Sequence, residues 1–287
     1  MRKKLKNPRY LLAILILLSV FLYSGRKLIS YYGEGAQTQA QYDELSEILY
    51  EATPTEDPAA PTFDWSSLER LPAEEIIQMP DSPYVIVTNE ATGKLEVMLP
   101  EYESLFQINP DIVGWITIPG TRVDYPVVQR KEETDYYLYR DFYGNQAARG
   151  CIYVKEACDV FAPTDNIIMY GHMMNDFSMF GDLSNYTRKK YWMEHPYIQF
   201  NTLRARHTYE IICVFKVSAG SSDGFAYHNF VNAETDADWD EFWSNCRKHA
   251  YYDTGLDLNH GDKLITLSTC EYTLKNGRMV IVARLVE

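Results

Sequence analysis

Residues 263–286 read KLITLSTCEYTLKNGRMVIVARLV. Two runs rich in aliphatic and β-branched residues, KLITLSTC and RMVIVARLV, flank EYTLKNG, whose Asn276-Gly277 pair is a strong hairpin-turn signal. Antiparallel pairing of the two runs returns Arg278 to the neighbourhood of Cys270. Cys270 ends its run instead of sitting within it, so its side chain can reach a cleft. A free thiol, with a pKa of about 8.5, is only a few per cent thiolate at neutral pH. To attack a carbonyl it needs a proton acceptor or a cation beside it. A guanidinium in that place can donate hydrogen bonds to an oxygen on which negative charge builds.

Upstream, six more short β-rich runs precede this pair: GWITIP, VDYPVVQ, GCIYV, NIIMY, YIQFN and TYEIICVFKVSA. Eight such runs with turn residues between them predict a closed or nearly closed barrel. One helix interrupts the series. ETDADWDEFWSNCRKHA sets Trp239, Phe242, Trp243 and Cys246 at i, i+3, i+4 and i+7, one apolar face. Its acids lie at the start and Arg247, Lys248 and His249 at the end, as the helix dipole favours. Before the barrel, EYESLFQI reads as a helix stopped by Asn109-Pro110. Between Asp64 and Leu99 the pattern gives a short helix near Ala73–Gln78 and two strands, YVIV and KLEVML, around NEATG.

Charge is unevenly spread. The chain of 287 residues carries a net −13, yet its first 33 residues hold seven basic residues and no acid. The remainder has 20 basic against 40 acidic residues, a surface that repels phosphate and excludes non-specific nucleic-acid binding. Five positive charges precede the apolar run Tyr10–Tyr23 and Arg26 and Lys27 follow it, an asymmetry that puts the N-terminus in the cytoplasm. The run is short for a hydrocarbon core of about 30 Å, but it continues to Leu28 and beyond if Arg26 and Lys27 snorkel. A cleaved signal peptide competes with an uncleaved anchor, although no A-x-A-like site follows closely. AQTQAQYDELSEILYEA, with Tyr42, Leu45, Ile48 and Leu49 at helical spacing, predicts a helix just outside the membrane, and TPTEDPAAPTF reads as a linker. The expected division is a basic tail at 1–9, a transmembrane segment at 10–28, a helix and Pro-rich linker at 29–63, and a catalytic domain at 64–287.

Five cysteines are sparse and irregularly spaced, and an odd number leaves at least one unpaired within the monomer. Cys213 and Cys246 read as buried small hydrophobes. Cys151 and Cys158 could bridge locally, but nothing in their spacing resembles a disulfide framework. No CxxC or HExxH pattern suggests a metal site, and no cofactor is expected. Of six histidines, His195, His207, His228 and His260 lie near turns, and His249 ends a helix. His172, in NIIMYGHMMNDFSMFGDL, follows a buried-looking strand and a glycine, where rigid scaffolds hold catalytic groups.

TLSTC followed by an arginine opening the last strand, with YGHMM after an earlier one, resembles a sortase. LPEYESLFQINPDIVGWITIPGTRVDYPVVQ, DYYLYRDFYGN and TGLDLNHGDKLITLSTCEYT resemble class B sortases in particular, as does the long helix before the cysteine strand; the likeness covers residues 98–287. The resemblance implies a mainly β fold, an eight-stranded sortase-type barrel with peripheral helices, tethered by an N-terminal transmembrane helix to the membrane of a Gram-positive cell. It implies cysteine transpeptidation: cleavage of a C-terminal sorting motif of surface proteins after Thr, and transfer to an amine of a peptidoglycan precursor or a pilin. It makes Cys270 the nucleophile, His172 the acid/base and Arg278 the oxyanion or substrate-positioning donor. Ser268 and Thr269 would line the peptide groove, the backbone N–H of Glu271 would donate to the oxyanion, and Leu138 would contact the sorting peptide. The sequence departs from the family pattern at Met173, where Asn is expected, and at Thr134, where some class B enzymes have a groove-lining Asn. Tyr272 stands where some members carry Asp, which argues against an Asp-assisted triad there. Three other readings remain. A cysteine peptidase of the same fold would use water as acceptor. An L,D-transpeptidase would place its cysteine among glycines, unlike TLSTCEY. A tethered binding module would be indifferent to a blocked Cys270.

Overall fold

A computed structural model of the chain describes residues 8–53, 73–76, 83–90, 92–218, 225–273 and 276–286. The Pro-rich stretch at 54–63, and Leu274 and Lys275 in the last hairpin, lie outside the described residues. The helices are α1 (Pro8–Ala52), α2 (Ala73–Ile76), α3 (Glu103–Ile108), α4 (Lys189–Glu194) and α5 (Asp236–His249). Strands β1 (Val85–Thr88) and β2 (Leu95–Met98) form a two-stranded antiparallel ladder with Val85 opposite Met98.

The chain divides into two compact units, residues 1–44 and 45–287. The sequence suggests two helices before residue 53, and the structure has a single one of 45 residues. No proline falls between Pro8 and Pro54, and each interior glycine costs a helix only about 1 kcal/mol. In the first unit the helix carries an 18-residue window of mean hydropathy 1.9, none of it buried, long and apolar enough to cross a membrane. In the second unit its last turns bury Leu45 and Leu49. There Tyr50 donates to Asp124 Oδ1 at 2.9 Å, an oxygen that also accepts from Trp115 Nε1 at 2.6 Å and Thr117 Oγ1 at 2.9 Å. Burial first, and then Asp124, push the Tyr50 hydroxyl up to about 12.

Eight strands close the barrel: β3 (Ile112–Thr117), β4 (Asp124–Val128), β5 (Ile152–Val154), β6 (Asn166–Tyr170), β7 (Tyr197–Thr202), β8 (Thr208–Ser218), β9 (Leu264–Glu271) and β10 (Gly277–Leu285). Their order around the barrel is β10-β8-β7-β3-β4-β5-β6-β9. Each matches one of the eight β-rich runs. All neighbours are antiparallel except β4 with β5 and β6 with β9, which are parallel. A parallel pair needs a crossover, and here β7, β8 and α5 all lie between β6 and β9 in the chain.

The near-continuous apolar character of β9 and β10 has a physical cause: both faces are covered. Ile265 and Leu267 are buried on one face of β9. On the other, Leu264 joins Val280, Val282, Cys213 and Phe215 beneath Trp239, Phe242, Trp243 and Cys246 of α5. Thr235 starts that helix with its N–H on Asp238 Oδ2 at 2.7 Å, a capping box. All five cysteines are free. Cys158 Sγ accepts from Ile168 N and approaches Asn166 O, each at 3.4 Å. Cys246→Ala should therefore leave activity intact and cost about 1–2 kcal/mol of stability by denaturant titration. A folded but inactive variant would count against Cys270 as the reactive thiol.

Candidate active site

The register of three strands builds the site. β6 and β9 run parallel with Tyr170 opposite Ser268, so both strands end at the same barrel rim. His172 follows Tyr170 by two residues and Cys270 follows Ser268 by two, which sets them abreast. On the far side of β9, antiparallel β10 puts Arg278 directly opposite Cys270. Residues so paired project from one face with Cβ atoms about 4.5–5.5 Å apart. The register thus sets Cys270 between Arg278 of β10 on one side and the loop after β6 that carries His172 on the other.

Gly171 carries the ladder one residue past β6, its N–H reaching Ser268 O at 3.3 Å. A Cβ there would lie 2.5 Å from Ile152 Cδ1 and 2.7 Å from the Phe180 ring, so close packing demands glycine just before the histidine. His172 Nε2 lies 2.7 Å from the carbonyl oxygen of Leu138, in a 3-10 turn over Tyr136–Tyr139. A carbonyl only accepts, so Nε2 carries the proton and Nδ1 is left to exchange one with reacting groups. The Tyr139 ring lies 5.3 Å from the imidazole, centroid to centroid.

Cys270 is half-buried, whereas the other four cysteines are buried. Arg278 Nη1 donates to the carbonyl of Gly277 at 3.0 Å, which fixes one edge of the guanidinium and leaves further donors. Ser268 is buried, its Oγ 2.7 Å from the Tyr227 hydroxyl. Thr269 alternates to the other face with Ile265 and Leu267, and its Oγ1 is buried with no partner among the described residues. Only the main chain of Thr269 is therefore presented on the Cys270 face. Glu271 closes β9 opposite Gly277. Leu138 is half-buried beside the histidine.

Two neighbours escaped the sequence reading. Tyr227 and His228 belong to a 3-10 turn (Tyr227–Asn229) between β8 and α5. Burial raises the Tyr227 pKa, the hydrogen bond from Ser268 and the charge of Arg278 pull it back, and Cys270 adds a smaller push upward. Burial, then Lys155 and Arg278, lower the His228 pKa, so this imidazole is held neutral beside the cations. The only sequence signal was the aromatic cluster FAYHNF, far from the cysteine motif in the chain. Other histidines have separate employment: His195 Nδ1 meets Pro119 O at 2.9 Å, His249 Nδ1 meets Asn245 O at 2.8 Å, and His260 lies between Asp236 and Asp240. Among the described residues no group of three or more His, Cys, Asp or Glu could hold a metal ion.

Comparison with known proteins identifies the family and the barrel. A sortase domain model matches residues 116–286. Sortase B of Staphylococcus aureus is 30% identical over 194 residues, 67% of this chain and 77% of that protein. Sortase B of Listeria monocytogenes is 33% identical over 188 residues, 65% of this chain and 74% of that protein. The crystal structure of sortase B from B. anthracis superposes with a TM-score of 0.66 at 26% identity, covering 89% of this chain and 99% of its own. With an eight-stranded barrel, a cysteine between histidine and arginine at one rim, and these relatives, the chain belongs to the sortase family, class B, and is a cysteine transpeptidase.

Proposed function

We propose that the chain is a membrane-anchored transpeptidase that cleaves a C-terminal sorting motif of surface proteins after Thr and joins them to an amine of the cell wall. The observation that carries this reading is the register that sets Cys270 between Arg278 of β10 and the loop after β6 that carries His172. Cys270 gives its thiol proton to His172 Nδ1 and its Sγ attacks the Thr carbonyl carbon. The carbonyl oxygen takes the negative charge and is met by Arg278 and the backbone N–H of Glu271. The C–N bond then breaks, His172 gives a proton to the departing amine, and a thioester to Cys270 remains. An acceptor amine attacks the thioester, passes its proton to His172, and frees the thiol. Leu138, Ser268 and Thr269 frame the peptide, Thr269 through its main chain.

A sortase B 29% identical to this chain has been solved in complex with triglycine, an amine of the kind proposed as acceptor. The test is mass spectrometry of the full chain with a pool of peptides holding a fixed Thr at the cleaved position. A peptide adduct on Cys270, converted to an amide product by added triglycine, is expected. Release by water alone, with triglycine at millimolar level ignored, would assign the enzyme to peptidases instead.

The apolar helix with its basic leader supports a topology with the N-terminus in the cytoplasm and the catalytic domain outside. Both a protein substrate and a lipid-linked acceptor would be held at the same surface, which raises their effective concentration. The chain should stay with membranes after alkaline extraction, and protease added to protoplasts should remove everything beyond residue 33. Recovery of soluble protein beginning near residue 30 would establish cleavage.

A further inference from the structure

His172 is held by two pieces of chain that the barrel does not join. Its imidazole rides on the loop after β6, and its hydrogen-bond acceptor, the Leu138 carbonyl, sits in the 3-10 turn before β5. The loop closes on itself: Phe180 N donates to His172 O at 3.0 Å, and Met173 bridges Met179. Phe177 and Met179 both have left-handed backbones, with φ of 63° and 54°, a costly conformation for such side chains. Something outside the loop must hold that shape.

Three residues outside the loop do so: Tyr125, whose hydroxyl accepts from Met179 N at 3.0 Å, Arg122, whose Nη1 donates to Asp176 O, and Arg149, which grips the Asp176 side chain. The Asp176 carboxylate takes a two-point contact from Arg149, with Nη2 to Oδ2 at 2.7 Å and Nη1 to Oδ1 at 3.0 Å. Ser178 adds its N–H at 3.2 Å and its hydroxyl at 2.7 Å on Oδ1. The Arg149 side chain is 4% exposed, while the Asp176 carboxylate is 27% exposed, so the guanidinium end of the pair is buried and the carboxylate end half-open. Burial of Asp176 opposes its ionisation, but hydrogen bonds from Arg149 and Ser178 outweigh that and bring its pKa down to about 2. Arg149 in turn is anchored where it matters. The next residue, Gly150, has φ of 57° and lies so close under the turn that a Cβ would sit 2.4 Å from Leu138 O and 2.6 Å from Tyr137 O. Cys151 N then donates to Tyr137 O at 3.1 Å.

We propose that Arg149 and Asp176 are a positioning pair for His172, clamping the loop that carries the imidazole to the segment that carries its carbonyl acceptor, so that Nε2 keeps its proton and Nδ1 faces the reaction. Neither residue takes part in the bond-making steps proposed above. The inference rests on His172 as the proton-transfer group. Loss of the clamp lets the Nε2 bond to Leu138 break, and misplacement by about 1 Å costs up to about 10²-fold in rate.

The test uses the full chain in detergent, labelled with 15N-histidine, and the peptide pool with the fixed Thr. In the wild type, His172 should show one tautomer with the proton on Nε2. Asp176→Asn keeps the volume and removes the charge; it should give a mixed tautomer and a fall in kcat of roughly 10–100-fold with KM little changed. Arg149→Lys keeps the charge but not the fork and should fall between the two. Ser178→Ala, which strips one hydroxyl partner from Asp176 and from Arg149 Nη1 but leaves the ion pair, should cost only a few-fold and serves as the readable variant if either other fails to fold. Variants that melt lower yet keep the wild-type tautomer and kcat would overturn the proposal, reducing the pair to a stability device. His172→Ala with wild-type turnover would instead remove the proton-transfer role itself, a result visible without touching Arg149 or Asp176.

Discussion

Cys270→Ala should leave a folded barrel that forms no peptide adduct, with turnover down by about 10⁴-fold or more, as for loss of a covalent nucleophile elsewhere. The substituted residue ends a strand at the rim and is half-buried, so little packing is lost and melting should move by only a few degrees. A second measurement separates this thiol from the others. Cys151, Cys158, Cys213 and Cys246 are all buried, and burial raises the pKa of Cys158 and Cys246, which keeps them protonated. A small alkylating agent should therefore add once to the native wild type, not at all to native Cys270→Ala, and at every remaining cysteine only in denaturant. Adduct formation with the peptide pool by Cys270→Ala would sink the assignment.

Arg278→Lys should lower peptide turnover by roughly 10²–10³-fold, the usual cost of one lost oxyanion donor. Arg278 stands directly opposite Cys270 in the β9–β10 ladder, with one edge already spent on the Gly277 carbonyl. Lysine keeps the charge but loses the planar set of donors. Alkylation of Cys270 develops no oxyanion and should change far less. The rival role is a purely electrostatic one, in which Arg278 only favours the thiolate. Lysine would then serve nearly as well, and Arg278→Ala would slow turnover and alkylation alike. Measuring both rates across pH in the three proteins decides between them, and parallel losses for Ala with Lys near wild type would remove the oxyanion role.

Much of this arrangement could be read from the chain. The eight strands were legible because each is a short β-rich run bounded by turn residues, and the Cys270–Arg278 pairing because Asn276-Gly277 marks the hairpin; Asn276 indeed has a φ of 53°. The helix α5 announced itself by its apolar face and its cap. The order of strands was not legible. β5 has three residues, and its parallel partner β4, like the β6–β9 pair, follows from closure of the whole sheet and not from any local signal. That parallel β6–β9 pair is what sets His172 beside Cys270, so the histidine could be chosen from six only by its strand-end context and by resemblance. Side-chain links across distant segments left no trace either. Arg149 is a buried arginine whose partner, Asp176, lies 27 residues further on in a loop with no local signal for the pairing, and Tyr227 meets Ser268 from the connection between β8 and α5. A helix of 45 residues was missed for a plainer reason: glycines and a change in polarity look like a boundary, yet nothing in the stretch stops a helix.

The place of β10 in the barrel has a consequence for how the enzyme comes into being. It follows all the other barrel strands in the chain, and it is bonded on both edges, to β8 and to β9. Until it is made, those two edges stand open and the guanidinium is not yet present. Residue 172 and residue 270 meet only when the long crossover between them closes, a step whose entropic cost favours late assembly. A chain trimmed before β10 would lack the strand that carries Arg278 opposite Cys270, so the proposed site would be complete only with the closed barrel.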